Sequence, residues 1–241
     1  MQGTGFTVAL IGPDGAGKTS VARRLDGRLP APVTYIYMGV SPASSNHLLP
    51  ATRIVHAVRR ARGTRPDTAG PRDSRAPDPS PRSRAHRVSR TVRSFLRLGN
   101  RLAEEWHRAL LAAVHRRRGS IVVFDRHFFA DYYAYDVTRD RRRSAARRLH
   151  GFVLARLYPR PDLVVYLDAP AEVLHERKGE GTLESLARRR TEYLELGHVL
   201  EPFAVVDASR PLEEVTSEVV GVIRAFAEGR PVGAAGRGGP A

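Results

Sequence analysis

The sequence predicts an α/β fold: a five-stranded parallel sheet with helices on both faces. Three observations predict it. Five short apolar runs, rich in Val, Ile, Leu and aromatic residues, lack the strict polar alternation of a half-exposed strand, as strands covered on both faces do. Helical patterns alternate with them over most of the chain, the order that parallel crossovers require. A glycine-rich segment joins the first run to the first helix.

In chain order, Phe6–Ile11 is the first strand and Lys18–Leu29 the helix after it. Val33–Met38 is the second strand. Leu48–Arg62 reads as a helix. From Gly63 to about Ala85, Pro66, Pro71, Pro77, Pro79 and Pro81 lie among Arg, Asp and Ser with almost nothing to bury, so disorder is expected. His86–Arg118 is a long helix leading into the third strand, Ser120–Asp125. Phe128–Tyr158 is helical in at least two pieces and precedes the fourth strand, Asp162–Asp168. Helices Ala169–Arg177 and Leu183–Leu200 lead to the fifth strand, Phe203–Asp207. The last helix, Leu212–Ala227, is opened by Pro211 and stopped before Gly229. A Gly/Pro/Ala-rich tail, Gly229–Ala241, is expected to be disordered. The chain therefore reads as one domain over residues 1–228 with an insertion at 63–85, and it contains no internal repeat.

Length and composition fit that reading. With 241 residues and 41% hydrophobic content, the chain can bury a sizeable core. It has no cysteine, which excludes a disulfide framework, a thiolate metal site and a cysteine nucleophile. No apolar run approaches the roughly 18 residues of a membrane span, and the N-terminus lacks the pattern of a secretory signal. A cytoplasmic location is the simplest expectation. The net charge of +15 would ordinarily suggest a nucleic-acid partner. Its distribution argues for a blander origin. Only Lys18 and Lys178 are lysines, so 38 of the 40 basic residues are arginine. Arg59 to Arg93 holds 11 arginines against Asp67, Asp73 and Asp78. More than half of the excess charge thus sits in one proline-rich stretch, and a solvated basic insertion is favoured over a nucleic-acid site there.

The most informative segment is Gly12-Pro13-Asp14-Gly15-Ala16-Gly17-Lys18-Thr19, a Walker A loop placed between an apolar strand and a helix. Gly12, Gly15 and Gly17 let backbone N–H groups converge on an anion, and the helix start adds partial positive charge. Asp14, Ala16 and Ser20 complete the set expected to surround the phosphates of ATP. Lys18 is expected to reach the β- and γ-phosphates, and Thr19 to ligate Mg²⁺. A lysine in a chain that otherwise uses arginine also implies that a compact ammonium is needed. The alternative, a glycine-rich turn that holds nothing, does not explain that choice.

Ile121-Val122-Val123-Phe124-Asp125-Arg126-His127 places Asp125 at the end of a central strand, beside the loop. A carboxylate there can hold Mg²⁺ through water or orient an acceptor, and Arg126 adds a cation next to it. Capping of the next helix is the competing role for Asp125.

These residues resemble the thymidylate kinase family of nucleoside monophosphate kinases. The loop is close to that family's G-x-D-G-x-G-K-[ST], and Phe124-Asp125-Arg126-His127 is similar to its D-R-[YH]. Leu167-Asp168-Ala169-Pro170-Ala171-Glu172 resembles L-D-x-x-P-E, and Arg190-x-x-Tyr193-Leu194 resembles R-x-x-Y-L. The resemblance covers about half the chain. It implies that Asp125 and Arg126 face the acceptor, with Arg126 on its phosphate, and that Arg177 enters a lid over ATP. Because the loop itself lacks an arginine, catalytic positive charge is expected from Arg177, Lys178, Arg188, Arg189 or Arg190, with Arg190 first for its spacing to Tyr193. A homodimer through sheet-covering helices is also what the resemblance implies.

The acceptor side departs from the family. After the second strand, where thymidylate kinases carry an R-E-P-G-G-like segment, this chain has Tyr35-Ile36-Tyr37-Met38-Gly39-Val40-Ser41. The serine pair after D-R-Y is replaced by aromatics and Asp131. Phe128, Phe129, Tyr132, Tyr133 and Tyr135 could stack on a base or could be core. Arg139–Arg148 reads as a charged helix face. Asp207-Ala208-Ser209-Arg210-Pro211 is either an adenine-contacting loop or an ordinary helix start. The histidines show no metal-ligand spacing. The expectation is an ATP- and Mg²⁺-dependent phosphotransferase acting on a small acceptor. A regulatory NTPase whose insertion binds an anionic polymer is the alternative.

Overall fold

The computed structural model describes residues 5–39, 84–133, 145–179 and 181–232. The expected helix at 48–62, nearly all of the 63–85 insertion, Tyr135, the first half of the 139–148 arginine run and residues 233–241 lie outside the described residues.

Five strands, β1 (Thr7–Ile11), β2 (Val33–Tyr37), β3 (Ile121–Asp125), β4 (Leu163–Asp168) and β5 (Phe203–Asp207), form one sheet in the order β2-β3-β1-β4-β5. All four pairings are parallel. The helices are α1 (Lys18–Ala22), α2 (Arg84–Arg117), α3 (Phe128–Tyr132), α4 (Ala145–Arg156), α5 (Ala171–Lys178), α6 (Leu183–Glu195) and α7 (Leu212–Ala227). A 3₁₀ turn, Leu196–His198, extends α6. The fold is thus the doubly covered parallel α/β sheet expected of a P-loop NTPase.

Burial on both faces explains why the strands read as continuous apolar runs. Val8 and Leu10 of β1 point into one core with Val21, Leu25, Val219 and Ile223. The residues between them in register, Ala9 and Ile11, point into the other with Ala112, Phe128, Leu154 and Leu196. The same alternation splits β3 and β4 between the two cores. With both sides of the pleat buried, period-two polarity has nothing to report.

One expected helix is shorter than its pattern. Lys18–Leu29 stops at Ala22, because the chain tightens into i→i+3 bonds, Arg24 N–H to Val21 O at 2.9 Å and Arg28 N–H to Leu25 O at 3.1 Å. Between them Gly27 adopts a left-handed φ of 73°. Asp26-Gly27 is a turn signal that the apolar spacing of Val21, Leu25 and Leu29 had masked. By contrast α2 runs 34 residues, about 51 Å at 1.5 Å per residue, roughly three times the span of the five-residue strands beside it.

Candidate nucleotide and acceptor site

Parallel register brings the site together. Leu10 of β1 stands opposite Asp125 of β3, and Ile11 opposite Tyr166 of β4, so the loop after β1 opens between two strand ends. Gly12, Gly15 and Gly17 have φ values of 148°, 92° and 82°. A Cβ on Gly12 would stand 2.6 Å from Leu167 O, and one on Gly15 2.8 Å from Leu174 O, so β4 and α5 press directly on the loop. We expect Gly15→Ala to lower stability by about 1–3 kcal/mol and to weaken nucleotide binding. Thermal denaturation and calorimetric titration with ATP check both.

Lys18 is buried and folds back on the loop, donating to Gly12 O at 2.8 Å and Pro13 O at 2.7 Å. Burial, and after it the Arg126 charge, push its ammonium down from 10.5 to about 8. Thr19 donates to Asp125 Oδ2 at 2.5 Å, and the Tyr35 hydroxyl donates to the same oxygen at 2.8 Å. Asp125 is fully buried, and its other oxygen, Oδ1, has no hydrogen-bond partner. Capping does not account for this carboxylate, since the N-cap of α3 is His127, without a side-chain cap. Ser20 lies exposed on α1, with its carbonyl accepting from Arg24. Ala16 is packed in the core beneath the loop.

Arg126 follows Asp125 with a φ of 71°, the one left-handed non-glycine residue among the described residues. Its N–H is held by Leu10 O at 3.0 Å. Strain of this kind concentrates at functional positions. Its guanidinium pairs with Asp14. Burial alone would lower the Arg126 pKa, but Asp131 and then Asp14 outweigh it and hold the cation above its usual value. Burial would raise the Asp14 carboxyl, yet Arg126, Lys18, Lys178 and Arg189 together hold it below the usual carboxylate range. Lys178 Nζ and Arg189 Nη1 approach Asp14 to 3.8 and 3.7 Å.

The other sequence candidates are placed as follows. Arg190 makes a two-pronged contact with Asp168, 2.7 Å to each oxygen, and Tyr166 also donates to Asp168 at 2.9 Å. Arg177 donates to Ala208 O and Ser209 O at 2.7 and 3.1 Å, tying α5 to the turn after β5. In that turn Asp207 accepts from Ser209 N and Oγ, and Pro211 is the N-cap of α7. Arg188 lies on the outer face with Glu192. Of the expected stacking aromatics, Phe128, Phe129 and Tyr132 are buried in the core.

Sequence reasoning passed over the anchoring of α6. Arg189 reaches Asp14 on the loop, Arg190 reaches Asp168 on β4, and Tyr193 donates to Asp131 of α3 at 3.0 Å. It also passed over the buried Glu105–His150 contact of 3.0 Å, which joins α2 to α4. The signal for that one was a carboxylate on the helix face that also carries Leu98 and Ala112, at i ± 7. A cleft of about 1310 Å³ beneath the sheet, lined among others by Phe6, Ala112, Arg116 and Pro159, contains none of the loop residues. The convergence of cations on Asp14 and of hydroxyls on Asp125 marks the site better than that volume does.

A parallel sheet with a glycine loop, a buried lysine and a helix-start hydroxyl bonded to a strand-end carboxylate defines the class: an α/β fold of P-loop NTPase type. No protein-family model matches the chain. It is similar to a probable thymidylate kinase of Archaeoglobus fulgidus, 34% identical over 113 residues, which is 45% of this chain and 55% of that protein. A thymidylate kinase of Fervidobacterium nodosum is 26% identical over 118 residues, 46% of this chain and 59% of its own. A probable thymidylate kinase of Pyrococcus abyssi is 27% identical over 146 residues, 57% and 67% respectively. The chain spans little more than half the length of the first two. The similarity is distant and partial, and it is to proteins of thymidylate kinase type. No helix among the described residues is long and apolar enough to cross a membrane.

Proposed function

We propose that this protein is an ATP-dependent phosphotransferase, built like a nucleoside monophosphate kinase, that moves the γ-phosphate to a small acceptor. The observation that carries this is the contact of Thr19, in the first turn of α1, with Asp125 at the end of β3, with the Lys18 ammonium buried beside it. The similarity to thymidylate kinases points the same way.

The donor set fits Mg²⁺. A hydroxyl and a carboxylate are hard oxygen ligands of the kind this ion takes alongside substrate phosphates. The orphaned Asp125 Oδ1 is a buried acceptor that a hydrated cation would satisfy. Thr19 and Asp125 would hold it, and it would neutralise phosphate charge. Lys18 leaves the Gly12 and Pro13 carbonyls to meet the β- and γ-phosphates. Lys178 and Arg189, gathered at Asp14, supply positive charge toward the transferring group. Arg190 holds α6 in place through Asp168, and Arg177 shapes the turn after β5, where the adenine would lie. Arg126 borders the acceptor. The test is ADP formation with ATP and Mg²⁺ against a panel of nucleosides, nucleoside monophosphates, sugars and polyols. Strong stimulation by one acceptor class is expected. Stimulation only by an anionic polymer would sink the small-acceptor reading in favour of a regulatory NTPase.

A further inference from the structure

We propose that the outer seam of α2 docks against the same seam of a second copy of this chain, the two helices running antiparallel about a two-fold axis at the level of Arg101. Val92, Leu96, Gly99, Ala103, Trp106 and Leu110 follow one another at alternating steps of four and three residues, the spacing that lays a continuous stripe along one side of a helix. Leu98, Glu105, Arg108 and Ala112 turn to the body of the protein and are buried, whereas Val92, Leu96, Trp106 and Leu110 are 51%, 68%, 44% and 64% exposed. Large apolar side chains left open to water on successive turns mark a contact surface.

Three observations select a second copy as the occupant. The stripe reads alike in both directions from Arg101: Gly99 and Ala103 stand two residues to either side, Leu96 and Trp106 five, Val92 and Leu110 nine. A two-fold contact needs this property, because residue i must meet residue j while j meets i. Antiparallel pairing sets Leu96 on Trp106, Val92 on Leu110, and the two small residues on each other. Gly99, next, is not required by its own chain. It lies inside a helix, where glycine costs about 1 kcal/mol against alanine, and it is absent from the glycines with positive φ. Among the described residues a Cβ there would meet nothing within 4 Å. Its smallness, with that of Ala103, serves the close approach of another helix. Charge is the third observation. α2 carries nine arginines in 34 residues and none on the stripe between Val92 and Leu110. The positions flanking its centre are Phe95, Asn100, Leu102 and His107, while Arg101 and Arg108 turn inward over the rings of Tyr132 and Phe128 at 4.8 and 5.3 Å. Two strongly basic chains can therefore bring these helices together without setting guanidinium against guanidinium. A bilayer surface would give no reason for a glycine at the centre of the stripe, and a segment of the same chain no reason for its palindrome.

The test is sedimentation velocity of the full chain across the micromolar range, where a monomer–dimer equilibrium is expected. Trp106 is the chain's single tryptophan, so its emission should shift to the blue as the dimer forms. Leu96→Glu sets a carboxylate against the partner's Trp106 and should raise the dimer dissociation constant at least about 100-fold with an unchanged circular-dichroism spectrum. Gly99→Ala should weaken association as well, yet raise the melting temperature at dilutions where wild type is monomeric. A glycine needed by its own chain would give the opposite shift. The chain has no cysteine, so Gly99→Cys and Ala103→Cys each introduce one thiol. Under mild oxidation the two variants mixed should cross-link faster than either alone. Equal or faster cross-linking of each variant alone overturns the antiparallel pairing. A wild type that stays monomeric overturns the whole proposal. Blue Trp106 emission in that monomer would assign the stripe to residues 40–83 of the same chain, and a blue shift brought on only by phosphatidylglycerol vesicles would assign it to a membrane surface. A dimer that Leu96→Glu leaves intact places the interface elsewhere and overturns it too. None of these outcomes bears on the phosphotransferase reading, which stands or falls by ADP formation.

Discussion

Lys18→Met is expected to reduce ATP turnover by about 10³-fold or more while raising the melting temperature. Both effects come from one feature. The ammonium is buried beside Arg126 and depressed from 10.5 to about 8, so the empty fold carries a charge it would rather not hold. A base whose folded pKa lies below its unfolded value disfavours the native state below the folded pKa, and that penalty fades as pH rises from about 8 to 10.5. At pH 7 the penalty is present in full, up to about 3 kcal/mol for a depression of this size, less what the bonds to Gly12 O and Pro13 O return. Methionine keeps the stem and removes the charge. Nucleotide binding should report the same ionisation. Affinity should fall as pH rises through about 8, and binding above that pH should take up protons, seen as different calorimetric enthalpies in buffers of different ionisation enthalpy. Lys18→Met should show neither effect. Retained turnover in this variant would remove the loop from the chemistry.

Asp125→Asn should be nearly as damaging, with turnover down by about 10²–10³-fold and little loss of stability. The side chain keeps its size, and one amide oxygen can still accept from Thr19 and Tyr35. What changes is the charge, and with it the capacity of Thr19 and Asp125 to hold a divalent cation. Titrating activity with Mg²⁺ in wild type and variant separates this role from a purely structural one. A higher Mg²⁺ requirement in the variant is expected. An unchanged Mg²⁺ requirement in a variant whose melting temperature has fallen would assign Asp125 to packing.

Much of this was legible in the chain because it is local. Phe203–Asp207 and Leu212–Ala227 match their sequence expectations residue for residue, and the other strands differ by one residue at an end. Lys18, Thr19 and Asp125 were readable because motif spacing and a strand end are properties of short segments. Pairing between segments was not. Nothing in the order of residues says that Arg190 meets Asp168, 22 positions away, or Tyr193 meets Asp131, 62 positions away. Those partners are chosen by how α6 lies across the strand ends. The same limit applies to Arg177, whose carbonyl partners belong to a turn 31 and 32 positions downstream. The early end of α1 was within reach, since Asp26-Gly27 announces a turn.

The three anchors of α6 have a mechanical consequence. Arg189, Arg190 and Tyr193 sit within five residues and are fastened to the loop, to β4 and to α3. Displacing a helix held at three points on three elements means exchanging contacts on all three, which favours discrete settings over a continuous slide. Filling of the loop, which changes what Asp14 can offer Arg189, would then tip the helix between two discrete settings, and the acceptor side would feel the change through Asp131 in the same event. Each molecule would then hold one setting or the other, and nucleotide concentration would set the share of molecules in each.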